Sequence, residues 1–226
     1  MPFFDDSGPR IEEERSPLSR AFALLRDQLE RMVALNLLWA AQGAPLLLAW
    51  AFPLPEIVRI GFTLYSAVAL PPATATVFAV LRQVSEGEPL SPALLTAALR
   101  GHFKAGLFKL MPLYSLFFWL AGLSAFSAAR GWMLPDVLAQ LSLLLLLVVS
   151  LYWGPALAQH PDWPLQRIAS QAVRLFWEQP AQTLWLGGIC GVALLLGMIS
   201  IAGVVLIIPV LVMLLQAEFY RALDPN

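Results

Sequence analysis

Charged side chains are scarce in this chain, and cysteine is almost absent. Only 13% of the 226 residues are charged, whereas 59% are hydrophobic. Soluble domains carry about 25% charged residues, so the composition indicates lipid as the main solvent. The single cysteine, Cys190, excludes an internal disulfide and a cysteine-rich metal site. A net charge of −1 without clustered Lys and Arg gives no support for a nucleic-acid partner.

Sequence motifs for catalysis and cofactor binding are also missing. The chain has no nucleophile elbow, no phosphate-binding glycine loop and no paired His-Glu helix motif. The two histidines, His102 and His160, fall at the ends of apolar stretches. Haem or metal binding would require them to face each other within the bilayer or to stand beside carboxylates. We therefore predict no cofactor, no metal and no enzymatic activity.

What the sequence does contain is a series of long apolar stretches. A helix needs about 20 residues to cross a hydrocarbon core about 30 Å thick. We predict an all-α polytopic membrane protein whose six transmembrane helices lie at residues 33–53, 57–82, 104–128, 134–158, 181–199 and 202–221. The last two share one apolar run, and the turn between them is predicted at Ser200 to Gly203. The second contains Pro71-Pro72, which predicts a kink or a break and leaves open whether 54–70 crosses fully.

The basic residues indicate the orientation of these helices. Most of the arginines and lysines precede the first predicted span or lie in the links after the second and fourth spans. By the positive-inside rule, both termini are cytoplasmic and the protein is a multi-pass protein of the cell inner membrane. Residues 1–15 are rich in Asp and Glu, unlike a signal peptide. We predict that they form a disordered cytoplasmic tail before a single membrane domain at 16–226.

An amphipathic segment precedes every second predicted span. These segments open with Ser16-Pro17, Ser91-Pro92 and Asp162-Trp163-Pro164, and each carries apolar residues at helical spacing. Arg26, Arg100 and Arg174 fall at equal spacings within them. The pattern predicts three tandem units, 16–90, 91–161 and 162–226, each made of an interfacial helix and a transmembrane hairpin. The alternative is that the segments are simply basic loops before membrane helices.

Three strings resemble the YesL-like family of bacterial membrane proteins, a family of unknown function. They are Asn36-Leu37-Leu38-Trp39 with Pro45, Pro72-Ala73-Thr74-Ala75-Thr76 with the later Leu81-Arg82 and Gly87-Glu88-Pro89, and Phe103-Lys104. The similarity is clearest over residues 30–120. The resemblance implies a multi-span bacterial inner-membrane protein with an accessory role near carbohydrate uptake. It assigns no catalytic residues.

Polar residues inside the spans are the candidates for a functional site, because such groups are costly in hydrocarbon. The candidates are Asn36, Thr74, Thr76, Lys109, Gln140 and Tyr152. The uncharged members either hydrogen-bond between helices or line a cavity. The two threonines follow the double proline, where their hydroxyls can satisfy freed carbonyls. Lys109 either extends to the interface or makes an internal pair or anion contact. Glu218 and Arg221 have the spacing of an interfacial ion pair.

Two functional hypotheses follow. The first is a non-enzymatic accessory subunit that binds a partner, such as another membrane protein or a transporter subunit, through its interfacial helices. The second is a small-molecule binding or transport component, since a six-span chain of this size looks like the substrate-capture subunits of importers. A cavity near the outer surface would favour the second hypothesis, and a tightly packed interior would favour the first.

Overall fold

The computed structural model describes residues 16–199 and 206–224. Within these ranges the chain is helical and has no strand, which confirms the predicted all-α class. The helices are α1 Pro17–Asp27, α2 Leu29–Ala51, α3 Glu56–Ser85, α4 Pro92–Ala105, a π-helical turn Gly106–Leu110, α5 Met111–Ala129, α6 Met133–Ser150, α7 Trp153–Gln159, α8 Leu165–Glu178, α9 Pro180–Ile199 and α10 Ile208–Leu223.

Five helical runs among the described residues are long and apolar enough to cross a membrane. They are Leu29–Ala51, Glu56–Ser85, Pro92–Ala129, Met133–Gln159 and Pro180–Gly197. Each of the five overlaps one of the first five predicted spans, and the third run begins twelve residues earlier than predicted. The described part of the sixth is α10, which has 16 residues and is not among the five. The predicted turn at Ser200 to Gly203 and the predicted tail at 1–15 lie outside the described residues.

The double proline does not break the second span. Helix α3 continues through Pro71 and Pro72, and both rings are buried. Of the predicted kink or break, the break does not occur, and close packing surrounds the two prolines. The π turn lies so close to this point that a Cβ on Gly106 would be 2.5 Å from the Pro72 Cα. Neighbouring helices can hold a helix together where proline removes backbone donors.

The second amphipathic segment is also not a separate helix. Helix α4 passes through the π turn into α5 without a break, so the predicted division between the segment and the third span is wrong. The other two amphipathic helices do end before their spans. A single non-helical residue, Gln28 or Gln179, separates α1 from α2 and α8 from α9.

The core is formed by the second helices of three hairpins. The hairpins are α2–α3, α5–α6–α7 and α9–α10, and the helices α3, α7 and α10 all contact one another. Each amphipathic helix packs on the second helix of the hairpin before it, and the last hairpin, α9–α10, takes this place for α1. Helix α1 therefore packs on α10, α4 on α3, and α8 on α6 and α7. The first helices follow the same order, with α2 against α10, α5 against α3, and α9 against α6. The contacts thus form a closed ring of three.

The C-terminal ends of α3, α7 and α10 converge, and we call this region the junction. Each end donates a side-chain hydrogen bond to main-chain carbonyls at the end of the next. The bonds run from Arg82 Nη1 to Ala158 O (2.9 Å), from Gln159 Nε2 to Asp224 O (3.5 Å) and from Arg221 Nη1 to Ser85 O (3.0 Å). Carbonyls at helix C-termini lack intrahelical partners and carry partial negative charge, so arginine is well suited to them.

Candidate functional site

The described helices enclose a cavity of about 660 Å³, which we call the central cavity. It lies between α2, α3, α5, α9 and α10. Its apolar wall consists of Leu46, Ala67, Leu70, Pro71, Phe78, Phe117, Phe118, Leu194, Pro209, Val212 and Met213. Its polar or amphipathic members are Trp39, Thr63, Ser66, Thr74, Tyr114 and Gln216. Both the volume and the apolar character are typical of small-molecule sites, which span about 300–1,000 Å³.

One wall of the cavity is held by a hydrogen bond between α2 and α3. The indole Nε1 of Trp39 donates to the Thr74 hydroxyl at 2.9 Å. Thr74 is buried, so the bond satisfies two polar groups that would be costly in an apolar environment. Trp39 is thereby held at the seam between the two helices, with its ring exposed to the cavity.

A second polar group of the wall, the Ser66 hydroxyl, hydrogen-bonds to the main chain of α2. The Ser66 hydroxyl donates to Gln42 O at 2.9 Å and accepts from Leu46 N at 3.2 Å. It therefore bridges a donor and an acceptor four residues apart, next to Pro45 inside α2. A side chain inserted into the helical ladder beside a proline is a common cause of helix bending. Ser66 is fully buried, and its hydroxyl makes both of these hydrogen bonds to α2.

Two polar groups of the wall remain unused. Neither the Tyr114 hydroxyl nor the Gln216 amide makes a hydrogen bond to another residue in the described ranges, although both line the cavity. The Tyr114 ring packs on the Trp153 ring, with the ring centroids 5.9 Å apart, and this contact restrains its position. These two groups can hydrogen-bond to a bound molecule, and the Thr74 hydroxyl, which accepts from Trp39, can still donate its proton.

Of the six residues predicted as candidates, Thr74 alone lines the central cavity. Asn36 Oδ1 accepts a hydrogen bond from Val210 N at 3.0 Å, and the Tyr152 hydroxyl lies 2.7 Å from the Thr183 hydroxyl. Thr76 donates to the carbonyl of Pro72 at 2.8 Å, Lys109 Nζ donates to the carbonyl of Pro161, and Gln140 Nε2 donates to Asp136 Oδ1 at 3.0 Å. The structure does not bring the six together.

Two of these contacts belong to a recurring set. In each, the first helix of one hairpin meets the second helix of the preceding hairpin close to a proline. Asn36 meets α10 just after Pro209, and Thr183 meets Tyr152 just before Pro155. The third member is the approach of Gly106 to Pro72. Asn36 and Tyr152 thus serve as helix-to-helix contacts in the ring.

A buried carboxylate lies beside the junction. The Glu218 side chain accepts a 2.6 Å hydrogen bond from the Ser85 hydroxyl, and its other oxygen is 3.2 Å from Arg20 Nε. Glu218 is only 1% exposed, so this pairing offsets the cost of burying the charge. The predicted ion pair between Glu218 and Arg221 is wrong. Helix α1 packs on α10 and provides the cation for Glu218, which leaves Arg221 free to bond across the junction to α3.

Two side chains pack on the ring of Trp163 in the region between α7 and α8. The His160 imidazole lies parallel to the Trp163 ring with centroids 3.8 Å apart, and the Arg167 guanidinium lies 4.3 Å from the same ring centroid. Burial lowers the pKa of His160 below its ordinary value. The Asp224 carboxylate acts in the opposite direction, while the charges of Arg167 and Arg82 add to the lowering.

The residues that matter most for the cavity are ones that the sequence did not single out. Trp39 lies in a string used for the family resemblance, but it was not named as a polar candidate. Tyr114 and Gln216 are amphipathic or polar residues inside apolar stretches, and this signal could have identified them. Their convergence depends on how α5 and α10 pack, which no periodicity reveals.

No protein-family model, curated protein or solved structure matches this chain. The resemblance to the YesL-like family therefore stays a prediction.

Proposed function

We propose that this chain is a non-enzymatic, multi-pass inner-membrane protein that binds a small and mainly apolar molecule in the central cavity. This is the small-molecule binding or transport hypothesis. The observation that carries it is the cavity itself, because a 660 Å³ space at the depth of the apolar helices has room for a small ligand.

The wall chemistry defines the class of ligand. Most of the lining is aliphatic or aromatic, and the hydroxyls of Ser66 and Thr74 already hydrogen-bond to other protein groups. Tyr114, Gln216 and the remaining proton of Thr74 are left to meet one or two polar atoms. A ligand with an apolar body and a single polar end fits this pattern. A free sugar would leave many hydroxyls unpaired, so the implied link to carbohydrate uptake is proposed only as an accessory role.

The test is to identify what the purified protein carries. The wild type is extracted in mild detergent, and bound small molecules are identified by mass spectrometry. Ala67→Phe places a ring in the cavity, and Ala121→Phe adds the same ring on an exposed position of α5 as a matched control. We expect one apolar molecule to accompany the wild type and the control but not Ala67→Phe. Recovery of the same molecules from all three proteins would refute the proposal.

We also propose that α10 completes a sixth span and that the chain consists of three tandem units with both termini cytoplasmic. The cyclic packing of the helices and the three hydrogen bonds of the junction support this proposal, since tandem copies around an axis produce equivalent contacts. Reporter fusions at each terminus test the topology. An external C-terminus with a cytoplasmic N-terminus would contradict it, because six spans place both ends on one side.

The accessory-subunit hypothesis is our second proposal. It is favoured by the outer face of α8, where Val173 and Trp177 are exposed one turn apart while Ile168, Ala172 and Leu175 on the other face are buried. A partner helix could cover this stripe. A native pull-down with Trp177→Gln, compared with Trp50→Gln on α2, tests the idea. Equal recovery of every membrane partner by both variants and the wild type would argue against it.

A further inference from the structure

A second apolar space, separate from the central cavity, opens between α2, α3 and α4. We call it the lateral groove. Its volume is about 440 Å³, and its walls include Leu38, Trp39, Ala69, Ala73, Leu99 and Phe103. Trp39 lines both spaces and divides them. The groove runs along helices that are apolar enough to cross a membrane, so its natural surroundings are lipid chains.

Three cationic residues are close in sequence to residues that line the lateral groove, although none of the three lines it. Arg100 and Lys104 directly follow the groove residues Leu99 and Phe103 on α4, and Arg31 lies one turn before the groove residue Leu35 on α2. All three cations are exposed. None of them forms an ion pair or a hydrogen bond with another residue in 16–199 or 206–224. These three cations are therefore available to bind an anion beside the groove.

A comparison within the chain shows that this charge is specific to one of three equivalent positions. Arg26, Arg100 and Arg174 are equally spaced, and the residues four positions later are Glu30, Lys104 and Glu178. Arg174 pairs with Glu178 at 3.4 Å, and Arg26 pairs with Asp27 at 3.3 Å. On α4 the corresponding neighbour is a second cation. Like charges four residues apart destabilise a helix, and a bound anion would relieve this repulsion.

We propose that the lateral groove binds an anionic phospholipid. One acyl chain lies along the apolar walls, and the phosphate is held by Arg100 and Lys104 with Arg31 on the facing helix. Charge complementarity selects this occupant over a zwitterionic lipid, because a net negative charge would meet cations that form no ion pair within the described residues. The proposal is independent of what the central cavity binds.

Lipid binding is measured by native mass spectrometry of the protein in detergent with equal amounts of phosphatidylglycerol and phosphatidylcholine. We expect the wild type to retain phosphatidylglycerol in preference. The double variant Arg100→Gln/Lys104→Gln is expected to lose about tenfold or more of that preference. The matched control is Arg26→Gln/Arg174→Gln, which removes the same charge from the two equivalent positions, and it should bind like the wild type.

Two further variants separate lipid binding from a structural role. Lys104→Glu gives α4 the Arg-Glu spacing found on α8. The protein should therefore be at least as stable as the wild type. Its preference for phosphatidylglycerol should nevertheless be lost. Ala69→Leu fills the groove but keeps every cation, and it should weaken retention, whereas Ala121→Leu on α5 should not. Equal retention of the two lipids by the wild type, or full preference in Ala69→Leu, would overturn the proposal.

Discussion

The Arg221 guanidinium donates a 3.0 Å hydrogen bond to the main-chain carbonyl of Ser85, 136 positions earlier in the chain. This bond closes the ring of three at the junction, because it connects the last described helix to the first of the three core helices. The two other bonds of the ring begin at Arg82 and Gln159. The junction therefore ties together helices that are far apart in sequence by satisfying the carbonyls at their ends.

Removal of the closing bond should loosen the junction. We expect Arg221→Gln to lower the free energy of unfolding by about 1 kcal/mol, since a charged donor to a helix C-terminus is lost. The measurement is thermal or denaturant unfolding in detergent. Arg26→Gln is the matched control, because Arg26 is also exposed and makes only a local ion pair with Asp27. An unchanged midpoint in Arg221→Gln would show that the bond contributes nothing.

Close packing at Gly154 should tolerate no added methyl group. A Cβ there would lie 2.0 Å from Phe78 Cε2, and the Phe78 ring is itself buried. We expect Gly154→Ala to destabilise the protein by about 1–3 kcal/mol through overpacking. Gly122→Ala, with nothing within 4 Å of its new Cβ, should be neutral.

A second substitution checks the cause of the Gly154 effect. Phe78→Leu makes room on α3, so the double variant Gly154→Ala/Phe78→Leu should be less destabilised than the two single changes added together. Such non-additivity is expected of residues in direct contact. Strict additivity would mean that the clash with the Phe78 ring is not the reason for the loss.

Asn36 should be needed for stability more than for ligand binding. Asn36→Leu removes the acceptor for Val210 N, a buried donor in the first turn of α10. We expect a loss of about 1–3 kcal/mol, because an unpaired donor remains in an apolar setting. Gln140→Leu is the control, since that amide bonds to Asp136 at an exposed position. Wild-type stability in Asn36→Leu would refute the assigned role.

His160 should make stability depend on pH. Its pKa is lower in the folded protein than its ordinary value of 6.5, so the unfolded chain binds the proton more readily. The contribution of His160 to the stability of the folded protein is complete above the ordinary pKa. This contribution is lost as the pH falls from the ordinary pKa through the lower pKa of the folded protein. We expect the wild type to lose more thermal stability than His160→Gln between pH 7.5 and pH 5.5. Identical slopes for the wild type and His160→Gln would contradict the assignment.

The sequence predicted the apolar spans well because each depends on local composition. The bounds of 33–53 and 57–82 compare closely with helices Leu29–Ala51 and Glu56–Ser85. The errors arose where tertiary contacts override local rules. Helix α3 continues through Pro71-Pro72 because neighbouring residues pack against it. Arg221 bonds to Ser85 instead of Glu218 because α1, a distant segment, supplies Arg20 to that carboxylate.

Of the six predicted candidates, only one lines the central cavity, for the same physical reason. Thr74 was chosen for its position after a proline, and it lines the cavity. The other five candidates were polar residues that pair with nearby groups. Membership of a cavity wall requires residues from several helices to face one space, and this depends on helix rotation and crossing angle. Apolar periodicity constrains neither quantity in lipid, where every face of a helix can be apolar.

The sequence by itself determined that the chain is helical, that it has at least five stretches able to cross a membrane, and which segments are amphipathic. These properties follow from the period of the apolar residues and from the thickness of a bilayer. Only the tertiary structure decided that the amphipathic helices pack each on the preceding hairpin, that the core helices close into a ring, and that a cavity remains between them. This packing depends on the complementary shapes of the helix surfaces and on hydrogen bonds between residues distant in sequence, and no local sequence pattern encodes either.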